Sequence, residues 1–96
     1  EKAIAINPEL AALQTTLGLA YVENGDIAKA EAALKKSEAG GSDSVDTRTL
    51  RGLILFKQNK NDEAIAAFDR VLELDNRNAA ANYYRGQAFG RLDQNA

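Results

Sequence analysis

Glycine recurs at positions 18, 52 and 86, an interval of thirty-four residues, and the same interval joins Tyr21, Leu55 and Phe89. It also joins Ala30 to Ala64 and Leu34 to Phe68. Matches at so many positions in one register, with no gap, mark an internal repeat, and Thr49–Phe56 lies in its middle copy. A repeat of this length is a unit that cannot bury its apolar face alone. Neighbouring units must stack, which constrains the chain to a solenoid built by nearest-neighbour contacts.

The residues between the matched positions make each unit a pair of helices. The apolar content is rich in Ala and Leu, aromatics are few and there is a single Pro, a mixture that favours helix over strand. Asn7-Pro8-Glu9 is a helix start: Asn as cap, Pro at the first helical position, an acid in the first turn. Leu10, Leu13, Leu17 and Tyr21 then recur at helical spacing as far as Glu23. Asn24-Gly25-Asp26 breaks that helix, with Asp26 to cap a second over about 27–38. Gly40-Gly41 stops the second helix, and Ser42-Asp43-Ser44 leads to a third over about 45–58. Asn59-Lys60-Asn61 makes the next turn, with Asn61 as cap, before a fourth helix over about 62–74. A fifth covers about 79–92.

Leu17-Gly18-Leu19-Ala20-Tyr21 followed by Ala30 and Leu34 resembles the tetratricopeptide repeat, with Leu in place of that family's Phe. Gly52, Leu55, Ala64 and Phe68 match in the next unit, and Gly86 and Phe89 in the one after. The resemblance implies an all-α, right-handed superhelical solenoid of antiparallel helix–turn–helix repeats with a thirty-four-residue period. It divides a single repeat domain into the end of a preceding unit (1–10), whole units (11–44 and 45–78) and the first helix of a further unit (79–96). The chain departs from the family pattern where Gln14, Arg48 and Asn82 replace an aromatic, so that end of each pair packs less tightly. Ser42 and Asn76 stand where the family has its closing proline, and Arg51 and Arg85 stand where the first unit has Leu17.

Chemistry is sparse. Without His or Cys the chain lacks the usual metal ligands, the nucleophile–base pairs and any disulfide framework. Ser37, Ser42 and Ser44 read as capping residues at a helix end and loop, and Asp62-Glu63 as a charged helix start. The oxygen-rich stretches at 43–46 and 75–78 lack the spacing and glycine of a calcium loop. Gly40-Gly41 lacks the Lys and Ser/Thr of a phosphate loop. No enzyme activity and no cofactor are expected. A formal charge of −2 speaks against nucleic acid as partner, although a nucleic-acid-binding helical repeat is one alternative class. No apolar run approaches the ~20 residues of a membrane span, so no direct membrane contact is expected. The opening Glu1-Lys2-Ala3-Ile4 does not read as a signal peptide.

What remains is surface. The resemblance implies that the first helix of each pair lines a concave groove for a peptide or protein partner. Its expected lining is Ala12, Thr15, Leu19, Val22 and Glu23, then Asp46, Thr49, Leu53, Phe56 and Lys57, then Ala80, Tyr83, Gln87, Gly90 and Arg91. The partner-binding residues singled out are Thr15, Leu19, Val22, Glu23, Thr49, Leu53, Phe56, Lys57, Tyr83, Gln87 and Arg91. Leu19, Val22, Leu53, Phe56 and Tyr83 make an apolar floor, edged by Glu23, Lys57 and Arg91. Tyr83 and Tyr84 point ~100° apart on a helix, so one of them faces the groove. One subclass of the family grips acidic chaperone tails, but the corresponding Thr15, Leu19, Leu50, Ala80 and Tyr84 offer no charge, so that partner is disfavoured. The alternative to groove binding is self-assembly into homo-oligomers, in which terminal helices of neighbouring copies pack end to end.

Overall fold

The turns that interrupt the helical pattern are built alike. Gly25 has a φ of 83°, and Asn59, one period later, has a φ of 64°. This left-handed geometry lets the Asp26 amide donate to the Tyr21 carbonyl at 2.8 Å and the Lys60 amide to the Leu55 carbonyl at 2.9 Å, satisfying carbonyls that the helix leaves open. A computed structural model describes residues 8–41 and 43–94. Among them are five helices and no strand: α1 (Pro8–Glu23), α2 (Ile27–Ala39), α3 (Val45–Lys57), α4 (Asn61–Leu74) and α5 (Ala79–Gln94). The expected Asn7 cap and the closing residues of a preceding unit lie outside the described residues, as does Ser42.

Helix ends depart from expectation by one or two residues, and two caps are corrected. Asp26 precedes α2, but its side chain makes no capping hydrogen bond. Asn61 is the first residue inside α4, after Lys60, and its side chain is buried. Ser44 does cap α3, accepting the Thr47 amide at 3.2 Å.

Helices α1 and α2 pack as a pair, α3 and α4 as another, and α5 lies against α4. Helices α1, α3 and α5 also touch in a row, which gives an elongated body of 48 × 27 × 25 Å. The core follows the repeat. Ala30 and Ala64 are fully buried, small enough to let paired helices close, and Leu50, Phe68 and Val71 are the largest of the fully buried apolar side chains around them. Burying a ring such as Phe68 stabilises by about 2–3 kcal/mol. Arg51 and Arg85, in place of Leu17, reach back to the preceding helix, Arg51 to Glu38 of α2 and Arg85 to Asp69 of α4. Both pairs are well exposed, so each contributes less than about 1 kcal/mol and serves register more than stability.

A polar cluster joins the first three helices. Thr15, Ser37 and Thr47, from α1, α2 and α3, are all buried. The Thr15 hydroxyl lies 3.1 Å from the Ala11 carbonyl oxygen that accepts from it, 2.6 Å from the Ser37 hydroxyl and 3.1 Å from the Thr47 hydroxyl, so the three side chains share one network. Ser37 is therefore a buried interhelical link, where the sequence reads as a helix-end cap.

Candidate functional site

A cleft of about 420 Å³ opens along the row of α1, α3 and α5. Its apolar side comes from Leu19 and Val22 of α1, Leu53 of α3, and Ala80 and Tyr84 of α5. Glu23, Asp46, Thr49, Lys57 and Asn78 supply its polar side. The residues come together because the three helices run side by side. Leu19 and Leu53, like Glu23 and Lys57, are one period apart and so stand at the same level of neighbouring helices.

Of the eleven residues singled out from the sequence, the structure gathers Leu19, Val22, Glu23, Thr49, Leu53 and Lys57 around this cleft, although Val22, Thr49 and Leu53 are themselves buried. The other five stand elsewhere, and the reason is geometric. A face drawn at i, i+3, i+4 and i+7 is wide enough to include both the open side of a helix and the flank it presents to its neighbour. Thr15 lies on the flank, inside the hydroxyl cluster. Phe56 is buried on the flank too, with its ring 5.1 Å from Tyr84 in an edge-on contact. Arg91 covers Phe56, placing its guanidinium 3.7 Å from the ring centre and donating to the Phe56 carbonyl at 2.7 Å. Gln87 and Tyr83 are exposed without lining the cleft. Tyr84 is the tyrosine that lines it, and Tyr83 meets Tyr84 edge-on at 5.0 Å.

Two lining residues fall outside the expected set: Tyr84, in place of the expected Tyr83, and Asn78, which sequence reasoning missed. It precedes α5, where its Oδ1 accepts the Ala81 amide at 2.8 Å, and Asp75-Asn76-Arg77-Asn78 reads first as a turn. The capping pattern, Asn immediately before a helical run, was the available signal.

The cleft combines apolar area with separated charges, a surface suited to recognition. Among the described residues, no helix is long and apolar enough to cross a membrane. Two family models match the chain. One, described as TPR repeat, matches residues 52–93. The other, described as anaphase-promoting complex, cyclosome, subunit 3, matches residues 1–71, more than half of the chain. No curated protein and no solved structure matches it.

Proposed function

The chain belongs to the tetratricopeptide-repeat family, and from that membership we propose that it binds a peptide or protein segment in the cleft along α1, α3 and α5. Repeat families of this kind are in general protein–protein interaction modules and typically non-enzymatic scaffolds. The observation that carries the reading is the lining itself. Leu19 of α1 and Tyr84 of α5, both half-buried, offer apolar contact over a floor in which Leu53 of α3 is 8 % exposed, while Glu23, Asp46 and Lys57 stand exposed around it. A ligand gains burial from the first set and register from the second. The test is selection of nine-residue peptides from a random display library on the 96-residue chain, followed by titration against Leu19→Glu and Leu19→Ala variants whose helicity is checked by circular dichroism. Peptides that bind the original chain and lose at least about ten-fold in affinity to folded Leu19→Glu support the reading. Undiminished binding by that variant removes it.

A second reading, end-to-end self-assembly, has its own observation. Leu10, Leu13 and Leu17 of α1 are exposed, whereas Thr47 and Ala81, one and two periods after Leu13, are fully buried. At the other end Phe89 is exposed and Gly86 and Gly90 have open space around them. Positions that are buried in α3 thus have exposed counterparts in α1 and α5, and joining these faces of two copies would make a head-to-tail contact. Light scattering that shows mass rising with concentration, and a constant mass for Leu13→Lys, supports this reading. A monomer at every concentration ends it.

A further inference from the structure

We infer that the segment taken up by this cleft is basic as well as apolar, carrying lysine or arginine beside the side chain that meets Leu19 and Leu53. The inference rests on the groove reading above and narrows its ligand class.

The argument begins with which charges are already spent. Helix α1 contains no Lys or Arg at all. The arginines of α3 and α5 are all engaged: Arg48 with Asp43 at 2.8 Å, Arg51 with Glu38, Arg85 with Asp69, and Arg91 with the Phe56 carbonyl and ring. The charges left around the cleft are Glu23, Asp46 and Lys57, all exposed and none in an ion pair with another described residue. Two carboxylates thus face one ammonium, and a ligand of net positive charge complements the site.

The helix ends rank the two acids. Glu23 closes α1, where terminal carbonyls add negative partial charge and the last turn holds no basic residue. Asp46 lies in the first turn of α3, where the positive end of the helix partly offsets it. Lys57 lies in the last turn of α3, where the negative end of that helix offsets part of its charge. The most favourable place for a ligand cation is therefore beside Glu23, with Asp46 second. Each exposed pair changes affinity by about two- to five-fold, so charge selects among ligands that the apolar floor retains.

The measurement is the composition of nine-residue peptides selected on the 96-residue chain, followed by fluorescence anisotropy of the selected peptides at low and high salt. Lys and Arg should be enriched beside a large apolar residue, and affinity should fall with salt. Glu23→Gln should weaken binding about three-fold, Asp46→Asn less, and Lys57→Gln should strengthen it, a gain that damage to the fold would not produce. Uncharged or acidic winners, or indifference to Glu23→Gln, overturn the inference. The groove reading survives that result if Leu19→Glu still abolishes binding. Acidic peptides held equally by Leu19→Glu would point instead to the second cleft, between α3 and α4, where Arg70 stands outside any ion pair with another described residue. In that case, or if no peptide is retained, both the inference and the groove reading fall.

Discussion

Gly52 lies so close to Phe68 that a Cβ on the glycine would stand 2.6 Å from the ring's Cε1 and within 3.0 Å of two more ring atoms. The ring is fully buried and cannot turn aside. The other two glycines of the repeat stand differently. A Cβ on Gly18 would meet Leu50 Cδ2 at 2.5 Å, a side chain of α3 in the next pair. A Cβ on Gly86 would meet nothing within 4 Å. One repeated letter therefore records a helix-to-helix contact in one unit, a unit-to-unit contact in another, and an uncovered face in the last.

Replacing these glycines by alanine should separate the three. Gly52→Ala forces overpacking against a fixed ring and should destabilise by about 2 kcal/mol. Gly86→Ala gains helix propensity without a clash and should be neutral or stabilising by up to about 1 kcal/mol. Urea denaturation followed by circular dichroism measures both. Equal effects at the two sites would mean that Phe68 does not hold the position described.

The hydroxyl link between Thr15 and Ser37, 2.6 Å long and buried, should show strong coupling. Ser37→Ala alone removes one hydroxyl of the pair and should cost about 1 kcal/mol. Thr15→Val leaves the Ser37 hydroxyl buried without that partner and should cost more. The double variant should be less destabilised than the sum of the two, by about 1 kcal/mol in a double-mutant cycle. Strict additivity would show that the two hydroxyls do not depend on each other.

The helices were legible because the repeat supplies each helix twice or more, and Gly25, Gly40 and Asn59 mark turns with their own chemistry. Caps were less so: Asp26 and Asn61 have the right residue type, yet whether a side chain turns back to the helix end depends on what packs over it. The cleft was half legible for a similar reason. Periodicity places Leu19 and Phe56 on one kind of helix face, but only the angle between α3 and α5 decides that Phe56 goes under Tyr84 and Arg91. Tyr83 and Tyr84 differ by one residue, and the packing of Tyr84 on both Phe56 and Phe68 settles which is inward.

Asn61 offers a stabilising substitution. Its Oδ1 is buried with no hydrogen-bond partner among the described residues. One period earlier the same place at the start of a helix is held by Ile27. Asn61→Ile removes a desolvated polar atom and adds apolar burial, and should stabilise by about 1–2 kcal/mol in urea denaturation. A loss of stability would mean that a water satisfies Asn61 and that the amide is needed.

Asn59 and Arg91 form the last test, because one residue holds a turn and the other holds that residue. The left-handed backbone at Asn59 disfavours a Cβ-bearing side chain without a local polar group, and its Oδ1 accepts from Arg91 at 3.2 Å. Asn59→Ala should therefore cost about 1–2 kcal/mol, combining backbone strain with the lost acceptor. Asn59→Gly relieves the backbone while losing the same acceptor, so it should fall close to neutral. Arg91→Ala should cost about 1–2 kcal/mol, since it uncovers Phe56 and leaves the Phe56 carbonyl without its second donor. Once Arg91 is gone the Asn59 acceptor has no role, and Asn59→Gly should then become stabilising by a few tenths of a kcal/mol. If Asn59→Gly has the same effect with and without Arg91, the 3.2 Å contact contributes nothing and the arginine acts on Phe56 alone.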